Sequence, residues 1–293
     1  YSNSVTAEIN ANYKVNYGEF GFGTEGKYEQ INSSNIGEHE RENFGFYAEF
    51  RTREFHNIDV TVGAYTNYNS VYGWQVFPGI DFSYLVLPEL KFIANAGTSQ
   101  RIPSFTDLYL NQRPGNIGNP NLISEKALQY EAGFKYDKNN IQTKIMAFYR
   151  DISDFIDWTR ISADVPWQAQ NVGSLRTTGL NAGFNYRLIA EENHWNFNLG
   201  YTYLSPKMDN VGNGFSSKYK LENFRHQVVN TLQWNNSKFN VTLANRYNER
   251  ISYKDYFLTD LRISMQQKQF NYYIDAQNIF DKTNVGNYTL LND

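Results

Sequence analysis

The chain holds 293 residues, with 27 Lys and Arg against 30 Asp and Glu, a net charge of −3 and no cysteine. That balance excludes disulfides and thiolate metal centres, and it offers no basic surplus for nucleic acid, which is not expected as a partner. Aromatic residues reach 17%, a richness that suits surfaces apolar on one side and wet on the other.

Mean hydropathy is −0.62, and no stretch approaches the ~18 uninterrupted apolar residues of a membrane helix. A transmembrane barrel remains open, because its strands are half polar by design. The first predicted strand sets the pattern. Val5, Ala7, Ile9, Ala11, Tyr13 and Val15 alternate with Thr6, Glu8, Asn10, Asn12 and Lys14. Successive side chains of a strand point to opposite faces, so this segment has one greasy and one wet face.

The same period restarts along the chain and predicts about fourteen strands. They span 4–17, 20–31, 43–55, 58–69, 73–86, 91–98, 128–137 and 141–157, then 167–188, 195–205, 224–235, 238–249, 255–267 and 270–280. In 58–69 the apolar set is Ile58, Val60, Val62, Ala64 and Tyr68; in 195–205 it is Trp195, Phe197, Leu199, Tyr201 and Tyr203. No segment shows a helical period.

Connections alternate in size. Short turns are expected at Gly18-Glu19, His56-Asn57, Pro88-Glu89, Lys138–Asn140, Ala190–Asn193 and Asn235–Ser237, and longer polar loops at 32–42, 98–127, 158–166, 205–223 and 250–254. Outer-membrane barrels sort their connections in this way. The expected fold is therefore all-β: a transmembrane, antiparallel, up-and-down β-barrel.

Motifs with chemical potential each have a plainer reading. Gly21–Gly26 spells G-x-G-x-x-G, but it lies inside a strand and opens no helix that could hold a phosphate. Asp151, Asp154 and Asp157 divide between the two faces of a strand, which leaves calcium in an external loop as the alternative to a solvated strand end. The four histidines lack ligand spacing, no serine occupies a nucleophile elbow, and no cofactor is implied. Tyr13, Tyr17, Phe20, Tyr68, Trp74, Tyr136 and Trp234 read as an interfacial girdle. Tyr109, Trp158, Trp167, Phe215 and Tyr219, in loops, either contact a ligand or pack the loops together.

Several blocks resemble the TonB-dependent outer-membrane receptor family. They are Gln100–Tyr109, Gly118–Leu122 with Glu125-Lys126, Tyr130–Gly133, Phe148–Trp158, Asn171–Leu180 and Asn278–Lys282, in family order. The likeness is nearest to the vitamin B12 (cobalamin) receptor branch. It implies a 22-stranded barrel around a plug, an outer-membrane location in a Gram-negative bacterium, and no enzymatic activity. The implied partners are membrane lipid, a small-molecule chelate (cobalamin-like or a ferric siderophore) and the TonB complex, reached through a plug.

Residues 1–293 are accordingly expected to be barrel domain, a fragment lacking the plug, the early strands and the last strand. Asn119-Pro120 is expected to turn a long loop back to the wall, and Gly173 and Gly179 to relieve crowding within a long strand. The candidate ligand contacts are Arg101, Tyr109, Arg113, Trp158, Trp167 and Tyr219. The rival functions are a passive porin or outer-membrane enzyme, and a soluble all-β carbohydrate-binding or hydrolytic module.

Overall fold

Long alternating segments joined by tight turns have one economical solution, in which each strand pairs with the next. The computed structural model takes it, and describes residues 1–52, 56–209, 216–218, 224–251 and 254–283. In chain order the first elements are β1 (Ser2–Val15), β2 (Gly18–Ser33), β3 (Gly37–Thr52), β4 (Ile58–Asn69), β5 (Gly73–Leu87), β6 (Leu90–Arg101), α1 (Phe105–Tyr109), β7 (Asn111–Gln112), β8 (Asn116–Ile117) and β9 (Glu125–Lys138). There follow β10 (Ile141–Ser153), β11 (Ile156–Arg160), β12 (Trp167–Asn171), β13 (Ser174–Ala190), β14 (Asn193–Asp209), β15 (Ser216–Ser217), β16 (Phe224–Asn235), β17 (Phe239–Arg250), β18 (Tyr256–Gln267) and β19 (Phe270–Ala276).

Among the described residues, fourteen strands form one sheet in the order β1-β2-β3-β4-β5-β6-β9-β10-β13-β14-β16-β17-β18-β19. The other five form a small sheet, β15-β11-β12-β8-β7. Two compact units divide the chain: Tyr1–Gly133 with Phe148–Thr178 and Pro206–Leu221, and Phe134–Ala147 with Gly179–Ser205 and Glu222–Asp293.

In the first unit the burial pattern inverts that of a water-soluble sheet. Val62 is 50% exposed and Val76 64%, whereas Asn67 and Asn69 on the other face are 7% and 0% exposed. The register puts Phe50 opposite Val62 and Ile80 beside it, so the apolar face is continuous across strands. On the polar face, Asn69 donates to Asn43 Oδ1 (2.7 Å), and the Tyr65 hydroxyl donates to Glu25. Gly45 lies under the Tyr65 ring, where a Cβ would strike the phenol.

The second unit continues both patterns. Trp195 and Trp234 pair across strands with ring centres 6.0 Å apart, and Phe184 meets Phe197 edge-on at 6.1 Å. Asn185 and Asn196 carry an amide row along the polar face. The register places one polar row, Asn230, Asn245 and Thr259, among the apolar side chains. It is closed on itself: Thr259 Oγ1 donates to Asn245 (2.9 Å), Asn245 to Asn230 (3.3 Å), and Asn230 to the Asn198 carbonyl (3.1 Å).

Several expectations need correction. The first turn is Asn16-Tyr17 rather than Gly18-Glu19. The 32–42 loop is a tight hairpin, because Ser33 already pairs with Gly37, whose φ of +90° makes the bend. Strand 141–157 breaks at Asp154-Phe155 and strand 167–188 at Val172-Gly173, so Gly173 (φ +95°) sits at a junction and not inside a strand. The 98–127 loop contains a helical turn where no helical period was visible. The end of the predicted strand 43–55, and Phe215 and Tyr219, lie outside the described residues.

Candidate functional site

The segments 102–124 and 154–173 fold as a platform at the long-loop end of the first unit. Its first piece is α1. Ser104 is the N-cap: its hydroxyl accepts the Asp107 N–H (3.1 Å), and Asp107 Oδ2 accepts the Ser104 N–H (3.1 Å), a reciprocal capping box. Asp107 also accepts from Trp158 Nε1 (3.2 Å) and from Arg101 Nη1 (3.2 Å).

Arg101 meets Glu125 as a fork. Its Nε donates to one carboxylate oxygen at 2.8 Å and its Nη2 to the other at 2.7 Å. Glu125 Oε1 accepts in addition from the Ile156 N–H (2.7 Å). Both acids are buried, so one guanidinium shared by two carboxylates ties the end of β6, α1, the start of β9 and β11 into one knot.

Above the knot lies a small core of Leu108, Leu122, Ile156, Trp158, Trp167 and Ala169. Gly118 passes so close to the backbone of Leu108 and Leu110 that a Cβ would stand 2.7 Å from their atoms, and its N–H donates to the Leu110 carbonyl (2.7 Å). Asn119 turns the chain back as expected, its side chain accepting the Asn121 N–H (3.0 Å).

The paired breaks on either side of β11 and β12 hold each other. Phe155 N–H donates to the Gly173 carbonyl (3.0 Å) and Val172 N–H to the Phe155 carbonyl (2.7 Å). The Asn171 amide donates to the carbonyls of Ile123 (3.0 Å) and Asp154 (2.6 Å).

Two cations edge the platform. The Arg160 guanidinium lies 4.4 Å over the Trp167 ring. Lys218 donates to Asn116 Oδ1 (2.6 Å), 5.8 Å from the Trp158 ring, and burial pushes its pKa below the ordinary lysine value. The platform also leans on the β2–β3 hairpin. The His39 ring stacks on Tyr109 at 3.6 Å, Arg41 lies 4.6 Å over Phe105, and Asn111 N–H donates to the Asn35 carbonyl (2.7 Å).

Five of the six candidate contacts can thus be placed. Arg101, Tyr109, Arg113, Trp158 and Trp167 come together in one platform, and Tyr219 lies outside the described residues. Their situations differ. Trp158 and Trp167, 6% and 8% exposed, are core side chains whose indoles are packed among their neighbours. The Arg101 guanidinium is engaged by two acids. Arg113 stands exposed in the turn between β7 and β8, and Tyr109 is half-buried.

Sequence reasoning missed Asp107, Glu125, Asn171 and Lys218 as participants. The Ser104-x-x-Asp107 spacing was a readable cap signal for the first; the other three act through long-range contacts that no local pattern marks. Among the described residues no three His, Asp or Glu side chains are grouped as a metal site.

A sheet of long two-faced strands, bearing a packed loop platform at one end, has the architecture of a β-barrel wall. The chain belongs to the family described as TonB dependent receptor-like, beta-barrel, which matches residues 1–292. A curated relative, the vitamin B12 transporter BtuB of Photobacterium profundum, is 30% identical over 147 residues, 48% of this chain and 23% of the relative. Among solved structures, the siderophore receptor PirA of Pseudomonas aeruginosa aligns over 96% of this chain and 52% of its own, with a TM-score of 0.76 and 17% identity. The ferric enterobactin receptor PfeA of the same organism, as a G324V mutant, aligns over 96% and 48%, with a TM-score of 0.78 and 17% identity. The chain therefore spans about half of the solved receptors it resembles and under a quarter of the curated one.

Proposed function

We propose that this chain is the wall and loop platform of an outer-membrane receptor that captures a scarce metal chelate outside a Gram-negative cell and imports it with energy delivered through TonB. The observation that carries the reading is the inverted sheet: exposed Val62, Val76 and Ile80 on one face, buried Asn67 and Asn69 on the other. Such a sheet is stable where the apolar face meets hydrocarbon and the polar face meets water or polar protein. An open sheet edge is untenable in hydrocarbon, so the strands belong to a larger closed barrel, the 22-stranded form with a plug that the family resemblance implies.

The barrel wall is mechanical rather than enzymatic. Arg113 and the free edge of Tyr109 touch the chelate, Tyr219 joins them, and Arg101, Trp158 and Trp167 hold the surface that presents them. The substrate is cobalamin-like, a choice supported by the likeness to a vitamin B12 transporter over nearly half the chain. The test is uptake of labelled cyanocobalamin by cells whose only such receptor is the full-length protein. Accumulation that collapses when TonB is removed is expected; accumulation indifferent to TonB would mark a passive pore, and none at all would remove the cobalamin assignment.

A further inference from the structure

The polar face of the second unit carries an open cleft of about 400 Å³. Parity sets its walls. On β14, Asn198 and Gly200 alternate with Phe197 and Leu199, and the register puts Asn198 opposite Thr231 and Gly200 opposite Val229 of β16. On β13, Gly183 and Asn185 flank Phe184, which is turned to Phe197 on the apolar face. Two lysines complete the lining, Lys135 from β9 and Lys144 from β10. Each lies three residues from the short-turn end of its strand, about 10 Å along the backbone.

The floor of the cleft is bare. A Cβ at Gly183 would meet nothing within 4 Å, and one at Gly200 only the Val229 carbonyl at 3.9 Å, so strand packing demands neither glycine. What the missing side chains supply is depth. Asn185 spends its amide N–H groups on Asn196 (3.0 Å) and Asn198. The lysines have no such engagement. Among the described residues no carboxylate lines the cleft, and neither ammonium group is held in an ion pair. The acids of β9 on this face are occupied elsewhere: Asp137 accepts from Gln142 (3.2 Å), and Glu131 from Asn95 (3.1 Å) and Gln129 (3.3 Å). Two like charges in one small space repel each other, a cost that an anion between them removes.

From this geometry we infer that the cleft is an oxyanion seat on the inner wall, which receives a phosphodiester group of the cargo as it passes towards the short-turn side. Lys135 and Lys144 hold the oxygens, and the bare floor at Gly183 and Gly200 gives the group room to enter. An oxyanion moving past a protein wall gives up water, and two ammonium groups replace what it loses. The seat thus acts on entry and not on capture, which belongs to the loop platform. The inference rests on the cobalamin reading proposed above, since cobalamin carries one such phosphodiester.

The test compares labelled cyanocobalamin with labelled dicyanocobinamide, a corrinoid that lacks the phosphodiester, in cells whose only such receptor is the full-length protein. Binding of cyanocobalamin to de-energised cells should be the same for wild type and Lys135→Gln/Lys144→Gln. In energised cells the double variant should import cyanocobalamin about tenfold more slowly, cobinamide entry should not change, and Lys135→Arg/Lys144→Arg should recover the wild-type rates. Unchanged cyanocobalamin entry in the double variant would overturn the seat and leave the cobalamin reading intact. An equal fall for both corrinoids, with new sensitivity to a bulky antibiotic, would assign the lysines to an acidic segment of a plug and overturn it likewise. Failure of wild type to import either corrinoid would overturn both.

Discussion

Removing Arg101 would strand two carboxylates that have almost no access to water, since Asp107 and Glu125 side chains are 12% and 8% exposed. Each would lose a charge-assisted partner in a place where solvent cannot replace it. Arg101→Ala is expected to destabilise docking of the platform by roughly 1–3 kcal/mol, the range for a buried acceptor left unmatched, moderated because the guanidinium itself is half exposed. Hydrogen exchange over residues 102–124 should accelerate while the strand amides keep their protection. Unchanged exchange would mean that the knot is ornamental.

Gly118→Ala tests a neighbouring point by a different route, because its Cβ would press on backbone rather than on a side chain that could move. A cost of about 1–3 kcal/mol is expected, read as proteolytic nicking within the same segment. The distinction among the five placed candidates is also a residue-scale matter. Sequence marks an aromatic residue or arginine in a long loop as available, but burial decides whether its surface is free. For Trp158 and Trp167 that decision rests on Leu108, Leu122 and Ile156, whose positions no local pattern foretold.

At the scale of elements, the two-residue period carries most of the fold. A strand's face assignment depends only on parity, so the start of a strand can be misplaced by two residues, as at Asn16-Tyr17, without moving any side chain to the wrong side. Parity gives a direct prediction: Val62→Arg, on the apolar face, is expected to cost ~2–4 kcal/mol in the refolded full-length barrel, against a small effect for Thr61→Arg on the other face. Urea titration in lipid vesicles measures both, and equal costs would invert the face assignment.

Periodicity was silent about breaks. The interruptions at Asp154-Phe155 and Val172-Gly173 bond to each other across strands, so neither could be located from its own neighbours. The helical turn at 105–109 is too short to display a period, and only its capping box betrays it. The polar row of Asn230, Asn245 and Thr259 escaped notice for a related reason: each residue reads as an isolated exception, and only the register shows them completing one another's hydrogen bonds.

At the scale of the whole molecule, what the sheet needs is two solvents. Its apolar side chains remain exposed because hydrocarbon is expected to cover them, and its asparagines are buried because they meet one another. The long-loop end carries a packed platform, whereas among the described residues the short-turn end carries little beyond tight turns such as Pro88-Glu89. A receptor requires that polarity, with capture on one side of the membrane and delivery on the other. Cysteine substitution makes it directly measurable, since these 293 residues contain no cysteine of their own. Single substitutions Arg113→Cys, Val62→Cys and Glu89→Cys in the full-length protein can be probed in intact cells with a membrane-impermeant maleimide. Labelling is predicted at 113 alone, with 89 becoming reactive only once the outer membrane is breached and 62 reacting only with lipid-soluble reagents. Labelling of 113 and 89 from the same side, or free aqueous labelling of 62, would contradict a membrane-spanning wall with its platform outside.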